Sequence, residues 1–179
     1  MIFDTHSHCY WDTLEPRIDE IISNMEKMGV TKAVQIGCDI ESSKKAISLT
    51  RRFPWVFYAT VWLHPETAQD LSCRHREERS ILRSTAKDES DPGTWIATAS
   101  LTDTEWLLAM TETLIRENRE IVVAIGETGF DHHYLDGSDG GKVWVDMANL
   151  SQKAREQIEN QKHWWLAQWE LAKKYDLPL

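Results

Sequence analysis

The sequence predicts an α/β fold of parallel strands joined by helical crossovers. Two observations predict it. β-prone runs alternate with stretches of helical periodicity in the order βαβαβαβα. Such alternation produces parallel strands with right-handed connections. The fourth of these runs, Ile121-Val122-Val123-Ala124-Ile125, is apolar throughout, as a parallel strand covered on both faces should be.

Met1-Ile2-Phe3-Asp4-Thr5 reads as a short buried strand, followed at once by His6-Ser7-His8. From Glu15 to Met28 the apolar residues Ile18, Ile21, Ile22, Met25 and Met28 keep helical spacing, and Gly29 supplies a stop. Residues 31–37 form a second strand and residues 41–52 a second helix, which Phe53-Pro54 ends. The run 56–61 is a third strand leading into Trp62-Leu63-His64-Pro65. Residues 66–104 read as a surface insertion, with a charged helical piece at 73–79 and a turn at Ser90-Asp91-Pro92-Gly93. A helix over 105–118 precedes the fourth strand, and a second polar insertion covers about 132–150. A long helix spans 151–175, and Asp176-Leu177-Pro178-Leu179 reads as the start of a fifth strand. No internal repeat or low-complexity tract interrupts this order.

A chain of 179 residues can bury one sizeable core, and 41% hydrophobic with 27% charged residues is a globular composition. No stretch approaches the roughly 20 apolar residues of a membrane span. No basic segment leads into an apolar one, so a signal peptide is not expected. Cys9, Cys38 and Cys73 are far apart and odd in number, which fits free thiols in a reducing cytosol. A net charge of −9 excludes the basic footprint of a protein that coats nucleic acid. It leaves room for an enzyme that grips one phosphodiester through metal ions. Nine tryptophans are an unusual number for this length.

Alternation along a strand puts His6 and His8 on one face, with Asp4 one step behind. Two imidazoles one pleat apart can reach the same divalent cation. His6, His8, His64 and Glu127 all follow the C-terminal ends of predicted strands. That rim holds the active sites of (β/α)8 barrels. Asp4 is expected to support the strand or hold an imidazole. His132 and His133 are expected at the surface of the second insertion.

Four elements carry a family resemblance. Phe3-Asp4-Thr5-His6-Ser7-His8 resembles the opening D-T-H-x-H of the TatD family of metal-dependent deoxyribonucleases. Leu63-His64-Pro65 is similar to its G-I-H-P element, and Ala124 through Asp131 to its A-I-G-E-I-G-L-D element. Gln161 through Gln168, Leu171-Ala172 and Leu177-Pro178-Leu179 resemble its Q-x(6)-Q-x-x-L-A helix and the L-P-V/L that follows. The resemblance implies an α/β fold of the TIM-barrel (β/α)8 type. Residues 1–179 would form the N-terminal portion, about the first half, of one hydrolase domain. It implies cleavage of DNA phosphodiesters, with single strands or chain ends as the expected substrate; with the thiols and composition above, a cytoplasmic setting and no membrane partner are expected. The cofactor would be one or two divalent ions, magnesium first, manganese or zinc as alternatives. His6 and His8 would bind one metal and Glu127 would bridge two. His64 and Asp131 would be further catalytic residues, Asp131 as a hydrogen-bond partner or a turn residue. The family's remaining ligands, two histidines and an aspartate, come from later strands.

Two rival readings accompany this one. Amide hydrolases on the same barrel also open with His-x-His, but they use a lysine after the fourth strand where this chain has Glu127. An inactive fragment is the other, since a half-barrel holds only part of the site. Taken alone, the chain is expected to bind metal weakly, to lack nuclease activity and to self-associate through its fourth-strand edge. Trp62 stands where the family usually has glycine. It is either a tryptophan packed beneath the insertions or a glycine misread from a UGA codon.

Overall fold

The computed structural model describes residues 1–69, 103–137 and 148–179. The expected helical piece at 73–79, the turn at 90–93, Cys73 and the Gly140-Gly141 stretch lie outside the described residues. The strands are β1 (Ile2–Ser7), β2 (Val30–Gln35), β3 (Phe57–Val61) and β4 (Val122–Ile125). The helices are α1 (Ile18–Lys27), α2 (Ile40–Arg52), α3 (Pro65–Gln69), α4 (Asp103–Glu117) and α5 (Gln152–Tyr175). The strands form one parallel sheet in the order β1-β2-β3-β4, as the alternation predicts.

Local chemistry sets the boundaries. The first helix begins three residues later than its periodicity suggests, because Pro16 sits in a 3-10 turn at Glu15–Arg17. It stops at Gly29, whose φ of 75° suits a residue without Cβ. The carboxylate of Asp39 accepts the Ser42 N–H at 2.7 Å, and the Ser42 hydroxyl accepts the Asp39 N–H at 2.8 Å. This reciprocal pair starts α2 and is worth on the order of 1 kcal/mol. Ser151 caps α5 by accepting the Ala154 N–H at 3.0 Å. One short helix is new: α3 occupies the beginning of the expected insertion, with Pro65 as its first residue.

β3 is the buried axis of the molecule. Phe57, Ala59 and Val61 pack with Ala46, Ile47 and Leu49 of α2, Leu107 and Ile115 of α4, and Trp164 and Leu171 of α5. β1 departs from expectation. It was expected to be buried, yet residues 2–6 are exposed, with Phe3 49% accessible. The reason is its place at the sheet edge, where it pairs with β2 alone among the described residues. β4 is the other edge, and there Ile125 N–H donates to the Pro178 carbonyl at 2.9 Å. Residues 177–179 therefore run beside β4, where the sequence places the start of a fifth strand.

Trp62 is buried in the core, 1% exposed, with its ring centroid 6.0 Å from that of Trp164. The indole N–H has no acceptor among the described residues. The position that resemblance gives to glycine thus holds the bulkiest of the fully buried side chains. Gly37 is the reverse case. A Cβ there would come within 2.9 Å of the Ser43 Cα and of the Thr60 carbonyl oxygen, both backbone atoms that cannot swing aside.

Trp62→Gly should cost about 3–5 kcal/mol, as other buried tryptophan truncations do, read as a fall in thermal midpoint. An unchanged midpoint would mean the indole is not a core residue. Gly37→Ala should cost about 1–3 kcal/mol by overpacking, measured by urea unfolding, and a neutral result would show that the β2–α2 turn yields freely.

Candidate metal centre

The strand ends bring four side chains of distant sequence together. His6 is the last but one residue of β1 and His8 follows the strand. His64 lies between β3 and α3, and Glu127 lies two residues beyond β4. The His6 and His8 Nε2 atoms are 3.2 Å apart. His6 Nε2 lies 3.6 Å from Glu127 Oε2, and His64 Nε2 lies 3.5 Å from Glu127 Oε1. On a flat sheet, β1 and β4 would be roughly 14 Å apart, three intervals of ~4.8 Å. Side chains that meet across this gap fit a curled sheet, the shape of a barrel arc.

Backbone hydrogen bonds tie these ends to one another. Thr60, 4% exposed, donates its hydroxyl to the Gly126 carbonyl at 2.6 Å and accepts the Gly37 N–H at 3.2 Å. The Gly37 carbonyl accepts the Glu127 N–H at 3.2 Å, and the Cys38 carbonyl accepts the His64 N–H at 2.7 Å. The end of β2 therefore anchors both the β3 and the β4 loops. The Gly126–Glu127 peptide is cis.

Proton bookkeeping fixes the ring nitrogens. The Tyr10 hydroxyl donates to the Ile36 carbonyl at 2.6 Å and lies 3.0 Å from His8 Nδ1. His64 Nδ1 accepts the Glu66 N–H at 3.1 Å, so in the neutral ring its proton sits on Nε2, facing Glu127. Burial first, then the neighbouring His6, pushes the His8 pKa down, against the opposing pull of Glu127 and the Ile36 carbonyl. His8 thus stays neutral, with a usable lone pair, to a lower pH than an ordinary histidine. Burial also raises the Cys9 thiol, and burial followed by Glu127 pushes Cys38 up to about 11, so both cysteines are protonated thiols. Neither forms a disulfide.

The donor set fits a divalent ion. One ligand atom from each of His6, His8 and Glu127 falls within 4.8 Å of the others. Neighbouring ligands at bond lengths of ~2.1 Å stand about 3 Å apart, close to the 3.2 and 3.6 Å seen here. Among the described residues this is the one group with such convergence.

The other expected residues fall elsewhere. Asp4 accepts the backbone N–H of His6 at 3.0 Å, so it supports the strand rather than an imidazole. Asp131 accepts the His133 N–H at 2.8 Å, the geometry of a turn. His132 and His133 are exposed, as expected. Sequence reasoning named Gln161 and Gln168 only as motif residues and missed their role in holding the loops, and it missed Gln35 altogether. Gln161, 1% exposed, donates Nε2 to the Asp131 carbonyl at 2.7 Å and accepts the Asp131 N–H at 3.0 Å. Gln168 donates to the Leu63 carbonyl at 3.2 Å, beside His64. Gln35 accepts the Cys9 N–H at 2.7 Å and donates to the Ser7 hydroxyl at 2.7 Å. The signal for two of them was present. Gln157, Gln161 and Gln168 share the buried stripe of α5 with Trp164, Leu171 and Ala172, where amides need specific partners.

No helix among the described residues is long and apolar enough to cross a membrane. The chain is 26% identical over 132 residues to an uncharacterized metal-dependent hydrolase of Mycoplasma genitalium, covering 74% of this chain and 38% of that protein. It is 25% identical over 134 residues to the uncharacterized metal-dependent hydrolase YabD of Bacillus subtilis, covering 75% of this chain and 39% of that one. The crystal structure of the TatD homologue YjjV of Escherichia coli superposes with a TM-score of 0.60 at 20% identity, over 99% of this chain and 48% of that one. A TatD family hydrolase of Entamoeba histolytica gives 0.61 at 19%, over 99% and 48%. The chain spans less than half the length of each of these proteins. Its sheet and helices are those of the TatD TIM-barrel fold. The family model described as TatD related DNase matches residues 3–179, and the chain belongs to that family.

Proposed function

We propose that this chain carries the opening part of the active site of a divalent-metal-dependent hydrolase that cleaves DNA phosphodiester bonds. The observation that supports it is the convergence of His6, His8 and Glu127 at the strand ends. Two matched relatives are themselves named metal-dependent hydrolases, and the family name points to DNA. The ligand roles follow the protons: His8 offers its Nε2 lone pair, His6 offers Nε2, and Glu127 offers two oxygens. A bound divalent ion would neutralise phosphate charge, lower the pKa of water and stabilise the leaving oxygen.

The chain's own residues do the positioning. His64 Nε2 lies 3.5 Å from Glu127 Oε1, which places a proton donor beside that carboxylate at the rim. Asp131 shapes the loop after Glu127 through its turn and its two bonds to Gln161. Imidazole and carboxylate together accept magnesium, manganese or zinc, with magnesium the first expectation for a phosphodiester. Single strands or chain ends are the expected substrate. The free thiols of Cys9 and Cys38 suit a reducing cytosol.

The test uses the protein expressed from its full reading frame, stripped with chelator and then supplied with magnesium, manganese or zinc. Cleavage of a single-stranded oligonucleotide should depend on added metal and fall more than 100-fold in Glu127→Ala, about 2.7 kcal/mol in the barrier, with circular dichroism unchanged. Hydrolysis of dihydropyrimidine amides in place of DNA would move the protein to the rival class. Glu127→Ala within about tenfold of the parent, ~1.4 kcal/mol, would remove Glu127 from the site.

A further inference from the structure

We infer that Tyr10 is a positioning residue for His8: its phenol holds the imidazole in the tautomer whose Nε2 lone pair faces His6 and Glu127. The inference rests on the reading of His8 as a metal ligand, and it goes beyond that reading by assigning a residue outside the His-x-His motif.

A phenol has one proton to donate. The Tyr10 oxygen lies 2.6 Å from the Ile36 carbonyl, which can only accept, so the proton lies there. The oxygen then has only lone pairs to offer to His8 Nδ1 at 3.0 Å. That contact needs a proton on Nδ1. A neutral ring protonated on Nδ1 has its lone pair on Nε2, the atom 3.2 Å from His6 Nε2. An unconstrained neutral histidine favours the opposite tautomer, with the proton on Nε2, and that form offers a cation nothing at this atom. A hydrogen bond from the distal ring nitrogen is the usual means of orienting a ligating histidine.

The surroundings make Tyr10 a fixed point. It is 2% exposed, so water does not compete for its hydroxyl. Its acceptor is held in turn, because the Ile36 N–H donates to the Ser7 carbonyl at 2.9 Å. Between them, the Cys9 N–H is bound by Gln35 at 2.7 Å. The Trp11 ring stacks on His8 at 4.9 Å and 17°, which sets the plane in which the imidazole lies. The segment from His6 to Trp11 is thus one unit in which the residue just past β2 sets the chemistry of a side chain just past β1.

The experiment reads the tautomer directly, without metal. Long-range proton–nitrogen spectra of the nitrogen-15-labelled chain are recorded at pH about 8, above the ordinary histidine range, with His8 assigned by His8→Gln. The parent should show a protonated Nδ1 and a pyridine-type Nε2 at His8. In Tyr10→Phe, which keeps the ring and loses the hydroxyl, the signals should move toward the Nε2–H form. Manganese affinity by calorimetry should then fall about 10–100-fold, with the circular dichroism of the parent. A parent His8 protonated on Nε2 would overturn the proposal without recourse to any variant. So would an unchanged tautomer in Tyr10→Phe, which would mean that the Ile36 carbonyl suffices alone. A parent chain that shows the stated tautomer and binds no divalent ion would overturn the ligand reading instead, so the two failures are distinguishable.

Discussion

Two imidazole nitrogens 3.2 Å apart can share one proton or face one cation, but both cannot point a proton at the other. A carboxylate placed beside them favours positive charge between the three groups. The structure brings these groups together at one end of a parallel sheet, and that convergence governs what the rest of the chain must do. β1 supplies the imidazoles and β4 the carboxylate, so the edge strands have to approach each other through curvature. Parallel strands make this possible, since all their C-terminal ends lie at the same rim.

Holding the rim in place falls largely to backbone groups and buried amides. Thr60 links the end of β2 to the loop after β4, and the carbonyls of Gly37 and Cys38 take the N–H groups of Glu127 and His64. Gly37 has to be glycine for this approach. From the other side, α5 grips the two loops with Gln161 and Gln168. A buried amide without partners would be costly, so these contacts hold the helix and loops in register as well as stabilising them. The Gln168 Oε1 atom has no partner among the described residues, which places its contribution in the donated bond to Leu63.

Much of this was legible in the sequence. The four strands announce themselves as β-prone or apolar runs between helical periods, and the pleat puts His6 and His8 on one face. Glu127 stood out through the Gly-Glu-Thr-Gly that leaves β4. The rest depended on contacts that local patterns do not encode. β1 reads as a buried strand, but its exposure reflects which strands pair with it. Asp131 reads as a hydrogen-bond partner or a turn residue, and its carboxylate accepts the His133 N–H within a turn. Trp62 contradicted the glycine at its position in the family, and only packing against Trp164 shows how an indole is accommodated. Tyr10 gave no signal, because its role arises from Ile36, 26 residues away. The charged helical piece expected at 73–79 and the turn expected at 90–93 lie outside the described residues.

The central claim is that His6, His8 and Glu127 form one divalent-metal site, and calorimetric titration of manganese or zinc into the chelator-treated chain tests it most directly. A single bound ion is expected, lost or weakened at least tenfold, about 1.4 kcal/mol, in His8→Ala and in Glu127→Ala, while both variants keep the parent's circular dichroism. Binding that is unchanged in both folded variants would contradict the claim.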